Sequence, residues 1–392
     1  MSFATALNRL LVIRSQSIVP VRFTSLSASL RQRSSDEILL EKVNNKGVIT
    51  LNRPKARNAI NHDMVIRLHK QLKVWEDDPS VSMVIFKGAG EKMFCAGGDV
   101  RELSEHALRD HQDEASCNFL INEYNSQYTI ATYRKPLIVL VNGYALGAGC
   151  AIAANAAFSV ATENAVMSMP EAAIGFYPDN GGSHFLSHLP GALGMYLGLT
   201  CAQVIGEDTC KIGLTTHYTT AFNGEFNKLE EELLTLADPS TERVAGILSK
   251  YHKKCATDQP MSLQPHLSRL NRIFRLDSVE QIMQALREDN SDWAQEALSS
   301  ISSKSPTLLK VIHRMLREAS SLNFSQCIAM EFRIGRNILH NHDSDFSKGV
   351  KAVLVKKTAK AEWNPSNIEE VNAELVESHF LSSLNEFQPE VK

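Results

Sequence analysis

Two glycine-rich turns carry the clearest chemistry in the 392 residues. The first reads Phe94-Cys95-Ala96-Gly97-Gly98-Asp99-Val100; the second reads Asn142-Gly143-Tyr144-Ala145-Leu146-Gly147-Ala148-Gly149-Cys150-Ala151. Each follows a run with strand character, so each places backbone N–H groups at a strand's C-terminal end, where open α/β sheets form ligand crevices. Two such N–H groups converging on one point would stabilise an oxyanion. Neither turn is a phosphate loop, because no G-K-[ST] is present, and Gly147-Ala148-Gly149 lacks the third glycine and acidic partner of a dinucleotide fingerprint. Metal chemistry finds little support. His184 and His188 lie four apart without the intervening Glu of a zinc protease, and seven scattered cysteines include no C-x-x-C pair. That cysteine usage suits free thiols in a reducing compartment. His340 and His342 read as residues of a solvated turn.

The elements that must position these turns alternate in type. Ile38–Val43 and Val48–Leu51 flank Asn44-Asn45-Lys46-Gly47 and predict a hairpin. Helical spacing runs from Asn58 to Glu76; Val81–Phe86 and Leu137–Val141 read as buried strands that end in Gly-rich turns. Strands alternating with helices predict an α/β fold. Leu137–Thr162 holds no charged residue, yet Asn142, Asn155 and its wealth of Gly and Ala fit close packing in a core better than a membrane span. Beyond about residue 225 the chain turns to charge-rich helices: Asn227–Ala237, Val244–Ala256, Ser278–Asn290, Trp293–Ser302 and Pro306–Ser320. The expected organisation is a leader over residues 1–35, a core over 36–225 and a helical extension over 226–385 packed on that core.

Charge supports the leader. The whole chain stands at −3, with 41 basic and 44 acidic residues. Residues 1–35 hold five arginines (Arg9, Arg14, Arg22, Arg31 and Arg33) and no acid, so without them 36 basic residues face 44 acidic ones, a charge of −8. An Arg- and Ser-rich, acid-free, amphipathic start is the composition of a mitochondrial presequence, which places the protein in the mitochondrial matrix. The acidic remainder argues against nucleic-acid binding, which draws its affinity from neutralising phosphates.

Taken together and in order, Leu51-Asn52-Arg53-Pro54-Lys55…Asn58-Ala59 and the two Gly turns resemble the enoyl-CoA hydratase/isomerase (crotonase) superfamily over about residues 36–220. The resemblance implies a crotonase-like α/β spiral of ββα units, an acyl-CoA thioester as substrate, no cofactor and no metal. It also implies an oxyanion hole built from the N–H groups of Gly98 and Ala148. Hydratases of the superfamily use two glutamates; here the first position is Ala151, while the second is present as Glu171 in Met169-Pro170-Glu171. Asp179 follows in Tyr177-Pro178-Asp179-Asn180-Gly181-Gly182, where hydratases carry a small residue.

That combination is similar to the superfamily branch that hydrolyses 3-hydroxyisobutyryl-CoA in valine catabolism, with 3-hydroxypropanoyl-CoA as a further substrate. Asn122-Glu123-Tyr124, Ser305-Pro306-Thr307, Met330-Glu331-Phe332-Arg333 and Asp345-Phe346…Gly349-Val350 extend the match to about residues 38–380. The resemblance assigns Glu171 the attack, as general base on water or as nucleophile through an anhydride, and Asp179 the second acid/base role. Glu123 would hydrogen-bond the substrate hydroxyl. Each acid also has an ordinary reading: Glu171 as a surface group beside a Pro turn, Asp179 as the cap of a helix starting near Gly181, Glu123 as a solvated helix-face charge. Ala148 departs from the usual all-glycine turn, with a methyl that would crowd the thioester. A one-glutamate hydratase or isomerase and a non-catalytic subunit of a mitochondrial assembly are the alternatives. A homo-oligomer is open too, since trimers and hexamers are common in the superfamily.

Overall fold

The computed structural model describes residues 36–103, 115–341, 343–352, 361–381 and 387–389. The leader over residues 1–35 and His342 lie outside them.

Consecutive strands are dealt alternately to two sheets. β1 (Ile38–Val43) and β2 (Lys46–Leu51) form an antiparallel hairpin, after which β3 (Met83–Gly88), β5 (Leu137–Val141), β7 (Phe158–Ala161) and β10 (His217–Tyr218) extend a six-stranded sheet in the order β1-β2-β3-β5-β7-β10. β4 (Met93–Cys95), β6 (Tyr144–Leu146), β8 (Val166–Ser168) and β9 (Val204–Ile205) make a second sheet in that order. Each of β3, β5 and β7 is thus followed at once by a short strand in the other sheet, the ββα grammar that the resemblance implies. Helices α1 (His62–Asp77), α2 (Ala115–Ala131), α3 (Ala148–Asn155) and α4 (Gly182–Ser187) follow β2, β4, β6 and β8.

The central strands read as unbroken apolar runs because both of their faces are buried. Val84, Phe86, Val139 and Val141 point into the main core with α1 and α2. Their alternate neighbours Met83, Ile85, Ile138 and Leu140 face the other way, onto Leu229, Leu233, Val244, Leu248 and Tyr251. Those five come from the helix pair Glu225–Thr235 and Thr241–Cys255, which covers the back of the large sheet. Helices Pro306–Ala319 and Phe324–Leu339 instead bury their apolar faces in the main core. Among the described residues no helix is long and apolar enough to cross a membrane, and the uncharged Leu137–Thr162 stretch is β5, β6, α3 and β7.

Several boundaries differ from the sequence reading. The hairpin turn takes only Asn44 and Asn45; Gly47 belongs to β2, where a side chain would run into the Trp75 ring. Asn58 does not start a helix. It is buried with φ 55°, and its amide donates to the carbonyls of Ala89 and Met93, both at 2.9 Å, so α1 begins at His62 behind an Asn61 cap. Side-chain caps at Ser240, Ser278, Ser291 and Ser305 set the starts of the helices after them. Helix Phe324–Leu339, absent from the sequence reading, starts with a capping box between Asn323 and Gln326.

The short helix Asp345–Val350 docks on the 3-10 turn Glu171–Ile174 by backbone contact. A side chain at Gly175 would strike the Asp345 carbonyl, and one at Gly349 would strike the Ile174 carbonyl. Gly349→Ala is therefore expected to destabilise the fold by about 1–3 kcal/mol, because the obstacle is backbone that cannot rotate away. Denaturant unfolding measures this, and an unchanged midpoint would show that the two segments need not touch.

Candidate active site

Sheet register brings the two glycine turns together. β4 and β6 are parallel neighbours with Met93 opposite Tyr144 and Cys95 opposite Ala145, so both turns leave the sheet at the same edge. A Cβ placed on Gly97 would lie 3.6 Å from the Ala148 nitrogen. The bridge between Ile60 and Gly98 uses the Gly97 carbonyl and the Asp99 N–H, which turns the Gly98 N–H to the opposite side. Ala148 opens α3, where a first-turn N–H has no partner within the helix. Among the described residues neither N–H has a backbone partner outside the helix, so two donors stand on adjoining loops, with the helix N-terminus adding positive potential.

Glycine is required at 147 and not at 148. Gly147 has φ 52° and ψ −124°, and a Cβ there would fall 2.5 Å from the Glu171 Oε1. Ala148 has helical backbone and is buried, so its methyl leaves the turn undistorted.

Glu123, Glu171 and Asp179 all converge here, and none keeps its ordinary role. Glu123 sits on the buried face of α2, where a Cβ on Gly98 would be 3.3 Å from its Oε1. Glu171 opens the 3-10 turn and contacts Gly147. Their exposures are 4% and 9%, and that of Asp179 is 5%. Among the described residues, Glu123 Oε1 and Glu171 Oε2 are buried with no hydrogen-bond partner, which is unusual for carboxylate oxygens. Burial first, then the neighbouring Asp179, holds both carboxyls well above the usual range. Burial also lifts Asp179 to about 7, against hydrogen bonds from Tyr124 and Asn180.

Asp179 does not cap α4. That task falls to Glu331, from helix Phe324–Leu339: its Oε2 accepts from the Gly181 N–H and its Oε1 from the Ser183 N–H, both at 2.8 Å, and from the Ser183 hydroxyl. Asp179 Oδ2 instead accepts from the Tyr124 hydroxyl at 3.1 Å. The same helix supports the site twice more, since the Tyr177 hydroxyl donates to the Glu331 carbonyl and Gly335 leaves room for that hydroxyl. Ser305 caps its own helix and donates to Asp345 at the base of the Glu171 turn. The sequence reading missed Glu331 as a member of the site. Its helix was legible from the Asn323/Gln326 box and the apolar spacing Cys327, Met330, Ile334, Ile338, whereas the side chain's target lies 150 residues away.

Other candidates stand apart. The His184 and His188 rings lie 4.4 Å from each other, and among the described residues no group of three or more ligating side chains is placed to hold a metal. His340 is exposed, as expected of a turn residue, and contacts the Cys117 thiol. Among the described residues, which include all seven cysteines, no disulfide joins any of them. Burial pushes the Cys95 thiol, beneath the first turn, up to about 12, which makes it a poor nucleophile.

Comparison with known proteins places the chain in a family. A family model described as enoyl-CoA hydratase/isomerase matches residues 46–380. The chain belongs to the enoyl-CoA hydratase/isomerase family. Within it, the chain is 41% identical to a protein of Xenopus tropicalis named "3-hydroxyisobutyryl-CoA hydrolase, mitochondrial", over 88% of this chain and 89% of that one. A Homo sapiens protein of the same name is 39% identical over 91% and 92%. Among solved structures, a carnitinyl-CoA dehydratase from Mycobacterium thermoresistibile superposes with a TM-score of 0.83 at 30% identity, covering 91% of this chain and 100% of its own. An enoyl-CoA hydratase from Rhodobacter sphaeroides 2.4.1 reaches 0.79 at 28%, covering 88% and 97%. The architecture is therefore shared by family members with different named reactions, and the choice between those reactions rests on the side chains of the site.

The Asp179 shift has a consequence for stability. A carboxyl whose folded value is raised binds more protons in the folded state than in the unfolded one, so its contribution declines as pH climbs from about 4 through about 7. Histidines held low by burial, such as the buried His313 and the half-buried His379, act in the opposite sense, so the test is a difference. Asp179→Asn should gain stability relative to the parent as pH is raised from 5 to about 8. Paired melting curves across that range measure it; a pH-independent difference would mean Asp179 is ionised throughout.

Proposed function

We propose that the protein hydrolyses the thioester of 3-hydroxyisobutyryl-CoA, releasing 3-hydroxyisobutyrate and CoA, as a step of valine breakdown in the mitochondrial matrix. The observation that carries this reading is the pair Glu171 and Asp179, buried together beside the two free turn amides and withdrawn from surface and capping roles. The relatives named for this hydrolase, matched over about nine-tenths of the chain, support the substrate, and their mitochondrial names fit the basic leader.

In this reading the N–H groups of Gly98 and Ala148 hold the thioester oxygen and strengthen their grip as it gains charge. Glu171 makes the attack. As a general base it takes a proton from water; as a nucleophile it forms an acyl anhydride that water then opens. Trapping of heavy oxygen from labelled water in the Glu171 carboxylate during a single turnover separates the routes. Asp179 is the second acid/base and serves the leaving sulfur. Glu123, with its free Oε1 beside Gly98, pairs with the substrate hydroxyl, and a buried partner left unmatched would penalise acyl groups that lack one. 3-Hydroxypropanoyl-CoA keeps that hydroxyl and is the natural second substrate.

Hydration by a glutamate pair is the competing chemistry. Ala151, wholly buried in α3, occupies the first glutamate position and offers no acid or base. Glu171→Gln should lower CoA release from 3-hydroxyisobutyryl-CoA by about 10²-fold or more, read with a thiol reagent. Crotonyl-CoA consumed without thiol release by the parent enzyme, or undiminished cleavage in the variant, would favour the hydratase reading.

A further inference from the structure

Between Asp179 and the backbone of helix Phe324–Leu339 runs a short chain of oxygens that the reaction as described leaves unused. The Tyr124 hydroxyl lies 3.1 Å from Asp179 Oδ2 and 3.0 Å from the Tyr177 hydroxyl, which in turn reaches the Glu331 carbonyl. Both phenols are fully buried, and burial together with the nearby Asp179 carboxyl holds both hydroxyls far above their ordinary range, so each keeps its proton.

The protons can be counted. Three oxygen–oxygen contacts each need one hydrogen. The Glu331 carbonyl can only accept, and the two phenols bring one proton apiece. If Asp179 is ionised it too only accepts, so two protons serve three contacts: Tyr124 donates to Asp179, Tyr177 donates to Glu331, and the phenol oxygens face each other at 3.0 Å with no hydrogen between them. If Asp179 is protonated, the chain is complete: Asp179 donates to Tyr124, Tyr124 to Tyr177, and Tyr177 to the carbonyl. Buried polar groups left unmatched are costly, so the chain favours the arrangement with the third proton.

We propose that Tyr177 is a positioning residue that, by offering the Tyr124 hydroxyl a second acceptor, keeps Asp179 protonated in the resting site, so that Asp179 is the acid that protonates the departing CoA sulfur. This rests on the hydrolase reading above. On the general-base route, water loses one proton to Glu171 as its oxygen bonds the acyl carbon. The C–S bond then breaks, its electron pair leaves on sulfur, and sulfur takes the Asp179 proton. The acid product keeps the second hydrogen of the water, and transfer of the proton on Glu171 to Asp179 restores the starting state. Of the other groups facing Asp179, Glu123 from α2, Glu171 from the 3-10 turn and Glu331 from helix Phe324–Leu339 are carboxyls and favour its neutral form, while the uncharged Asn180 amide hydrogen-bonds it and favours the ionised one. A fully ionised set would place like charges together in a dry interior.

The two tyrosines make opposite predictions. Tyr177→Phe removes the competing phenol and leaves Tyr124 free to serve an ionised Asp179, so the alkaline limb of the CoA-release profile should move to lower pH, by about one unit. Tyr124→Phe removes the donor to the ionised form, and the same limb should move to higher pH. Asp179→Asn identifies the limb by abolishing it. A purely structural role would lower rates without moving the limb in opposite senses. Limbs that shift together, or not at all, would overturn the proposal. An infrared difference spectrum of the parent protein against Asp179→Asn at pH 6 needs no turnover: a protonated carboxyl C=O band lost in the variant supports the proposal, and its absence from the parent overturns it. Absence of CoA release from the parent, with that band present, would count against the hydrolase reading alone.

Discussion

One buried carboxylate decides which acids are available to the site. The N-terminus of α4 exposes N–H groups that the helix cannot satisfy, and some acceptor must meet them. Asp179, just ahead of that helix, is the nearest residue of a capping type, and local chemistry alone would give it the task. Glu331 arrives from a helix 150 residues later and takes the Gly181 and Ser183 donors instead. Asp179 is thereby left facing Tyr124, in the same interior as Glu123 and Glu171. The extension beyond the ββα spiral thus does more than cover it.

The remaining C-terminal contacts converge on the same place. Helix Phe324–Leu339 lies against Tyr177 through Gly335, while helix Asp345–Val350 presses on the turn that presents Glu171 and is itself tied to Ser305. On the opposite side of the site, the pairing of β4 with β6 joins the two amide-bearing turns. Backbone donors therefore come from the spiral, and the exclusion of water that raises the carboxyls comes in good part from the helices added after it. Electrostatic stabilisation of a developing oxyanion is strongest in such a low-dielectric setting.

Local rules made much of this legible in the sequence. The apolar runs at Met83–Phe86 and Leu137–Val141, the serine-capped helices and the two Gly turns all depend on neighbours within a few residues. The contrast of Ala151 with Glu171 and Asp179, which pointed to hydrolysis over hydration, came instead from the resemblance to the family. Three things escaped, each because it depends on distance in the chain. Asn58 looked like the start of a helix, but its amide is committed to carbonyls at Ala89 and Met93. Asp179 kept a helix cap as its ordinary reading beside the acid/base role, because its competitor Glu331 was invisible at that range. Tyr124 and Tyr177 drew no notice as single residues; their meaning lies in an oxygen chain that only the folded α2, the Tyr177–Asp179 segment and helix Phe324–Leu339 create together.

The claim that Glu331 frees Asp179 for chemistry is tested most directly by the kcat of Glu331→Gln for CoA release from 3-hydroxyisobutyryl-CoA, on protein shown by its melting curve to be folded at the assay temperature. The two α4 donors sit on different Glu331 oxygens, and a glutamine turns one of those oxygens into an NH2 donor, so Asp179 or water must turn to the donor left over, and kcat should fall by about tenfold or more with KM little changed. A folded Glu331→Gln enzyme with the parent's kcat would contradict the account.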